Sequence, residues 1–293
     1  MTSQKILTGV LLAFFGFTLW TVCDALIKVV KDYPPYQLSW IAVAASVALQ
    51  ISFSRQLGGI QETLAKPHQK LQILRGALYI VPGFLNFIVF AKLPLSVAYA
   101  IIFMAPFITK ILAIFILGEK IKAMSWILTF IGFLGVLIVL RPGIIPIDWP
   151  VIFAFIGTFC FALGNVLTQK IGEENQTFLS YNIYTDVPFV FLLAIPAFLT
   201  FVPMPPVDLL ITASIGILGF IGMIAVSRAF ATTPTQYIAP IHYTQMVWGV
   251  IWGMLFFAEY PDGWIITGSV MIITAGLILV LRTKTALTTT RPD

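Results

Sequence analysis

Five ionisable side chains fall inside long apolar stretches of the sequence, where a charge is costly. They are Asp24, Lys28, Lys110, Asp186 and His242. An ionisable group at the centre of a bilayer costs about 2.5 to 3.5 kcal/mol on insertion scales, so it should face the protein interior and have a partner. Because such groups mark substrate and proton pathways, these residues are the first candidates for function.

Asp24 and Lys28 are four residues apart, so a helix places both side chains on one face. Two interpretations stay open for this pair. Either the two charges neutralise each other as a structural pair, or they close the outer side of a pathway. In the second interpretation, Asn165 and Gln169 close the inner side, and this neutral pair would separate more easily.

Asp186 belongs to the most polar stretch of any apolar segment. Asn182 lies four residues before it, on the same helical face, and Pro188 frees a backbone carbonyl from the helix ladder. The pattern predicts substrate or proton binding by Asn182 and Asp186. Interhelical hydrogen bonding is the alternative.

Lys110 and His242 each allow two interpretations. Lys110 lies about two turns before Glu119, so its ammonium group either reaches the lipid headgroups or pairs with Asp186 or an anionic substrate group. An imidazole exchanges protons near pH ~6.5, so His242 is a candidate for substrate contact or coupling. Packing alone is the alternative for His242.

Aromatic and amide side chains surround His242 in the sequence. Tyr243 follows it directly, and Gln245, Trp248 and Trp252 recur at the spacing of one helical stripe. Such a stripe either packs helices or forms part of a ligand cage. Tyr99 and Trp248 could hold a cationic group by cation–π attraction.

The composition defines the surroundings of these residues. Of 293 residues, 59% are hydrophobic and only 10% are charged, with a mean hydropathy of +0.98. Soluble proteins carry about 25% charged residues, so a water-soluble globular fold is excluded. The apolar stretches are unbroken and reach the roughly 20 residues of a membrane-spanning helix, which predicts an all-α polytopic membrane protein.

Proline, glycine and charged residues divide the chain into ten predicted spanning helices. Only residues 55 to 72 form a long loop. The helices run over residues 6 to 30, 36 to 54, 73 to 92, 95 to 117, 123 to 140, 149 to 170, 178 to 200, 208 to 228, 236 to 257 and 263 to 281.

The two halves of the sequence match at an offset of 141 residues. Gly135 to Arg141 aligns with Gly276 to Arg282, Asp24 with Asn165, and Lys28 with Gln169. We therefore expect two five-helix repeats, residues 1–142 and 143–293. Because five is odd, the second repeat enters the membrane the other way up, and such inverted repeats recur in secondary transporters.

The basic residues predict the orientation. With the N-terminus in the cytoplasm, 12 of the 17 Lys and Arg residues fall on the cytoplasmic side, including Arg75, Lys120, Lys122 and Arg291. The positive-inside rule then places both termini in the cytoplasm, in the cytoplasmic (inner) membrane. The net charge of +5 is a signal of topology, so no nucleic-acid partner is expected.

Several short motifs lie along the two halves of the chain. They are Leu74-Arg75-Gly76, Ala105-Pro106, Leu117-Gly118-Glu119, Gly135 to Gly143, Ala239 to Tyr243 and Phe257 to Asp262. With these motifs, the sequence resembles ten-helix EamA carriers of the drug/metabolite transporter superfamily, within the branch that includes S-adenosylmethionine uptake carriers. The resemblance implies transport of a small metabolite. Relatives often carry an arginine in the second helix where this chain has Ala42, so a role for that arginine does not transfer.

The sequence thus predicts a secondary carrier for a small amine-bearing or zwitterionic metabolite, driven by protons or by exchange. It has no ATP-binding or hydrolase motif, so a membrane-embedded enzyme, a channel and a receptor are weaker alternatives, as is a carrier of riboflavin or a carboxylate. Cys23, Cys160, His68 and His242 cannot form a usual four-ligand structural zinc site, so no metal or cofactor is expected. A monomer and a homodimer both fit.

Overall fold

The computed structural model describes residues 3–119, 121, 123–141 and 148–288, and this part of the chain is a bundle of helices. It contains thirteen α-helices and two short 3-10 segments, at Glu173–Asn175 and Ala239–Tyr243. The α-helices are α1 Ser3–Val29, α2 Pro35–Ser52, α3 Ile60–Ala65, α4 Gln69–Lys92, α5 Leu95–Ile102, α6 Ala105–Leu117, α7 Ala123–Leu140, α8 Trp149–Ile171, α9 Ser180–Leu199, α10 Pro206–Thr232, α11 Thr235–Ile238, α12 Thr244–Phe257 and α13 Gly263–Thr288.

The predicted all-α membrane fold is confirmed. Within the described residues, six helices are long and apolar enough to cross a membrane, and two shorter apolar helices accompany them. The loop predicted at 55 to 72 contains the short helix α3, and α13 continues past the predicted end at 281. The predicted repeat boundary at 142/143 and the basic residues Lys120, Lys122 and Arg291 lie outside the described residues.

The predicted fourth and ninth spans are each interrupted, which the sequence analysis did not anticipate. The fourth consists of α5 and α6, which meet at Phe103 and Met104 just before Pro106. The ninth consists of α11, the 3-10 segment with Pro240, and α12. Proline lacks an N–H and clashes with the preceding turn. Interrupted helices at corresponding positions of two repeats are a known mark of transporter binding sites.

The packing of the helices repeats between the halves. Helix α1 packs along α10, and α8, its counterpart in the second half, packs along α4, the counterpart of α10. Helices α2 and α9 pack together, as do α7 and α13, and each of these pairs joins counterparts directly. The duplication seen in the sequence is therefore also present in the packing.

Small residues allow some of these helices to approach closely. A side chain at Gly216 of α10 would overlap the carbonyl oxygen of Ala42 in α2, and one at Gly135 of α7 would lie 2.7 Å from the Gly268 oxygen of α13. Glycine at such positions lets helix backbones come into contact. The close contact of α10 with α2 also fixes Ala42 beside the central cavity described below.

The helices alternate in direction, so the bundle has two ends. We call the end where α1 and α4 finish and α8 begins the Lys28 end. The end where α6 and α8 finish and α9 begins is the Gln169 end. Each end holds one of the polar contacts described below.

Candidate functional site: a cavity between the two halves

A cavity of about 210 Å³ lies between the two halves of the bundle. Its walls come from both repeats, namely α1, α2, α4 and α5 of the first and α8, α9, α10 and α12 of the second. Among the described residues, its lining includes two carboxylates and neither lysine nor arginine. The predicted site residues on its wall are Asp24, Tyr99, Asn182, Asp186, His242 and Gln245.

Asp24 lines the cavity from α1 and is held by Tyr99 of α5. The Tyr99 hydroxyl donates a hydrogen bond of 2.7 Å to Asp24 Oδ2. The expected contact between Asp24 and Lys28 is wrong, because the Lys28 side chain contacts Glu259 instead. The carboxylate therefore faces the cavity without a basic partner.

Asp186 also lines the cavity, from α9. Its Oδ2 accepts hydrogen bonds from Ser46 Oγ at 2.5 Å and Gln50 Nε2 at 2.6 Å, both on α2. Sequence reasoning missed Ser46 and Gln50. Their four-residue spacing, which puts two polar side chains on one face of an apolar helix, was the available signal.

His242 lies in the 3-10 segment and lines the cavity with its ring among aromatic side chains. The ring stacks on Phe17 with a centroid distance of 4.6 Å and lies 5.4 Å from Phe161 and 5.9 Å from the edge-on ring of Phe103. The interruption of the helix at Ala239–Tyr243 thus places this imidazole at the cavity wall. Its role in coupling stays a prediction.

Two amide side chains on the cavity wall bond to backbone carbonyls. Gln245 Nε2 donates to the Phe17 oxygen at 3.3 Å, and Asn182 Nδ2 donates to the Phe220 oxygen at 3.5 Å. Since a carbonyl oxygen only accepts, the first bond orients the Gln245 carboxamide so that its Oε1 remains without a hydrogen-bond partner.

Tyr243, Trp248 and Trp252 lie away from the cavity. Tyr243 is buried against Phe103, with ring centroids 5.7 Å apart. Trp248 stacks on Trp252 at 5.6 Å. Gln245 lines the cavity without these two tryptophans, so the expected stripe does not form a cage around it.

For Lys110, the expected contacts with the lipid headgroups and with Asp186 are both wrong, and contact with an anionic substrate group stays a prediction. Its side chain is fully buried and donates to the Ser125 carbonyl oxygen at 3.3 Å and to Thr129 Oγ1. The ammonium group thus neither reaches the headgroups nor contacts Asp186. Lys110 joins α6 to α7 outside the cavity.

At the Lys28 end, the two halves meet in an ion pair. Lys28 of α1 contacts Glu259, which follows α12, and its ammonium group also donates to the Leu93 carbonyl oxygen at 3.1 Å. Glu259 Oε2 accepts from the Leu95 backbone N–H at 3.0 Å, at the start of α5. One glutamate therefore joins α1, α5 and α12 at this end.

At the Gln169 end, the corresponding residues meet without a positive charge. Gln169 Nε2 donates to Glu119 Oε1 at 2.6 Å, and its Oε1 accepts from the Thr235 hydroxyl at the start of α11. Both glutamates follow a residue in the left-handed conformation, Gly118 or Ala258. Glu119 and Glu259 thus each join the two halves of the bundle.

Asn165, one turn before Gln169 on α8, does not line the cavity but contacts a residue that does. Its Oδ1 accepts a 2.7 Å hydrogen bond from the Tyr79 hydroxyl of α4, and Tyr79 itself lines the cavity. Arg75, one turn from Tyr79, is fully buried and donates to Gln176 at 2.7 Å. Arg75, which the sequence analysis counted among the basic residues of the cytoplasmic side, is therefore a buried cation that joins α4 to the segment before α9.

A duplicated helical bundle with interrupted helices around a polar cavity is the architecture of a membrane transporter. The model of the EamA-like transporter family matches residues 7–141 and 148–282, one repeat each. The chain therefore belongs to the EamA-like transporter family, and it is a multi-pass membrane transporter of a small metabolite rather than an enzyme.

Two characterised relatives and one solved structure are similar to the chain. The pseudopaline exporter CntI of Pseudomonas aeruginosa (strain UCBPP-PA14) is 27% identical over 97% of this chain and 99% of its own. The S-adenosylmethionine uptake transporter of Rickettsia bellii is 27% identical over 66% of each chain. A crystal structure with a TM-score of 0.70 covers 98% of this chain and 99% of that chain at 15% identity, and it shows the shared fold.

Proposed function

We propose that this protein is a secondary carrier that moves a small amine-bearing or zwitterionic metabolite across the cytoplasmic membrane by alternating access. The observation that carries the proposal is the presence of Asp24 and Asp186 in one cavity between the two halves. The lining offers no lysine or arginine among the described residues, so an ammonium group is attracted and an isolated carboxylate is repelled.

The positions of the two buried lysines narrow the substrate class. Lys28 is paired with Glu259, and Lys110 bonds to α7. Neither is free to neutralise a substrate carboxylate, which argues against a carrier of simple carboxylates. An amino acid or an S-adenosylmethionine-like metabolite carries at least one cationic group that fits beside Asp24 or Asp186. The names of the two relatives support a small metabolite as the substrate. Because one is an exporter and the other an uptake transporter, the solute gradients determine the direction of transport in this proposal.

The contacts at the two ends support alternating access. Each end holds a contact between equivalent residues of the two halves, Lys28 with Glu259 and Gln169 with Glu119. Opening one contact while the other holds would expose the cavity to one side at a time. The distribution of basic residues supports an orientation with both termini in the cytoplasm. Without an ATP-binding motif, the energy comes from protons or from exchange.

The test is uptake into proteoliposomes that contain the purified full-length protein. Labelled amino acids, S-adenosylmethionine and primary amines are compared with dicarboxylates, with and without a pH gradient. We expect saturable flux for at least one amine-bearing solute, driven by the gradient or by preloaded solute. Flux confined to dicarboxylates, or no flux above empty liposomes for any solute, would refute the proposal.

Variants connect the flux to the cavity. Asp186→Asn and His242→Ala should lower the flux at least about tenfold while the protein still elutes as a folded species. The matched control is Asp32→Asn, since Asp32 is exposed between α1 and α2. Normal flux in both cavity variants would show that the substrate does not pass this site.

A further inference from the structure

We propose that the cavity holds a solute with two protonated amines, one beside Asp24 and the other beside Asp186. The inference rests on the proposed function and narrows its substrate class to a diamine or a similarly dicationic amine. It is drawn from the different helices and partners that hold the two carboxylates, from their unused oxygens and from the charge of the lining.

The two carboxylates belong to different walls. Asp24 on α1 is held by Tyr99 of α5, whereas Asp186 on α9 is held by Ser46 and Gln50 of α2. In the described part of the chain, α1 packs on α4, α10 and α12, while α9 packs on α2, α4 and α10. The two aspartates share no hydrogen-bond partner, so they form two subsites rather than one carboxylate pair.

Each aspartate keeps one oxygen free for a ligand. The protein donors all bond to Oδ2, and within the described residues neither Oδ1 has a hydrogen-bond donor. A polar atom in the protein interior that lacks a partner costs about 1 to 3 kcal/mol, and more when it is charged, so the two Oδ1 atoms favour a bound donor.

A primary ammonium group matches this set of acceptors. It has three N–H donors and no acceptor, and each aspartate offers it an Oδ1 atom that accepts from no protein donor within the described residues. Each subsite can therefore take one ammonium group.

The charge of the lining favours two cations over one. With a monoamine bound, one carboxylate would stay in the cavity without a positive partner, which is costly in a region of low dielectric constant. If a zwitterion bound with its ammonium group at one aspartate, the carboxylate group of the zwitterion would face the other aspartate, and the two negative charges would repel each other. Apolar side chains such as Phe87, Phe90 and Phe189 line the remaining wall and suit a methylene spacer between two amines.

The test compares three ligands with the same carbon chain length. Cadaverine, pentylamine and δ-aminovalerate are titrated onto the purified full-length protein in detergent, by calorimetry. We expect cadaverine to bind at least about tenfold more tightly than the other two, since a second ion pair worth roughly 1.4 kcal/mol gives that ratio. Equal affinities for cadaverine and pentylamine would overturn the inference.

Variants assign the two amines to the two aspartates. Asp24→Asn and Asp186→Asn should each lower cadaverine affinity to that of pentylamine, whereas Asp24→Glu, Asp186→Glu and the exposed control Asp32→Asn should keep the preference. If either Asn variant still binds cadaverine more tightly than pentylamine, the inference is wrong. If one Asn variant fails to fold, the comparison of the three ligands on the unchanged protein still tests the inference.

Transport separates this inference from the proposed function. If proteoliposomes take up an amino acid or S-adenosylmethionine and cadaverine does not compete, the diamine inference is wrong while the carrier proposal holds. If no solute of the panel is transported, the carrier proposal and the diamine inference are both wrong. If cadaverine competes with the transported solute, and this competition is lost in Asp186→Asn, the result supports both the carrier proposal and the diamine inference.

Discussion

Lys28 and Gln169 lie at equivalent positions of the two repeats, and each contacts the glutamate that follows the fourth spanning segment of the opposite repeat. Lys28 pairs with Glu259 and Gln169 bonds to Glu119. The two contacts lie at opposite ends of the bundle, yet only one of them is an ion pair. The two equivalent contacts therefore differ in charge, although the backbone arrangement is the same.

Replacing Gln169 with lysine should give the Gln169 end an ion pair equivalent to that of Lys28 with Glu259. In Gln169→Lys, an ammonium group faces Glu119, and a partly exposed ion pair adds up to about 1 kcal/mol, or roughly a fivefold change in population. We expect the Gln169 end to open less often and the transport rate in proteoliposomes to fall severalfold. A rate equal to that of the unchanged protein would contradict this.

The control for this variant removes the contact without adding a charge. Gln169→Leu loses both the bond to Glu119 and the bond from Thr235. If the contact only holds this end closed, Gln169→Leu should not slow transport as Gln169→Lys does. Equal slowing in the two variants would indicate damage to packing instead.

The helices and the repeat were predictable from the sequence because both depend on local signals. Apolar length sets the spans, and the shared register of Asp24 with Asn165 and of Lys28 with Gln169 reveals the duplication. The interruptions in the fourth and ninth spans were harder to predict. Prolines at 82, 188 and 196 lie within continuous helices, so a proline alone does not show which helix breaks.

The partners of the charged residues were not predictable, since they depend on tertiary structure. Asp24 is the nearest opposite charge to Lys28 along its helix, but Glu259 lies much farther along the chain and reaches Lys28 only in the folded bundle. Lys110 likewise bonds to Thr129 on α7, a partner that it contacts only in the folded bundle. Sequence indicates which side chains need partners, and the fold decides which partners they receive.

Tyr99→Phe should weaken substrate binding more than folding. The change removes the hydroxyl that bonds to Asp24, a charged hydrogen bond typically worth about 1.5 to 3 kcal/mol, while the ring stays packed against Gly249. We expect KM to rise about tenfold with a smaller change in the maximal rate. Tyr33→Phe is the matched control, because it removes a 2.6 Å bond to Asp208 outside the cavity. Similar kinetics in both variants would contradict a role for the Tyr99 bond in binding.

Gly216→Ala should destabilise the bundle strongly. The added Cβ would overlap the Ala42 carbonyl oxygen, so α10 and α2 must separate, and overpacking of this kind costs about 1 to 3 kcal/mol or more. We expect a lower Tm in detergent and reduced transport. Gly219→Ala on the same helix is the control, since nothing lies within 4 Å of its added Cβ. An equal Tm for the two variants would contradict the close contact.

Lys110→Met should leave substrate preference unchanged. The ammonium group bonds only to Ser125 and Thr129 in the described residues, and replacing a buried charge by an apolar side chain of similar length is often neutral or stabilising. We expect the same ranking of solutes in uptake assays and a Tm within a few degrees of the unchanged protein. A changed ranking would show that Lys110 acts on the substrate after all.

Asp262 should contribute stability that depends on pH. The backbone N–H of Ile265, 2.9 Å from Oδ1, and Arg141, 2.8 Å from Oδ2, hold the pKa of this carboxyl below its ordinary value of 3.8. Because the folded state favours the charged form, the contribution is complete above that ordinary value and is lost as the pH falls through the lowered pKa. The Tm difference between the unchanged protein and Asp262→Ala should thus be constant near neutral pH and shrink in acid. Asp32→Ala should show no such pH dependence, and a difference that grows on acidification would refute the assignment.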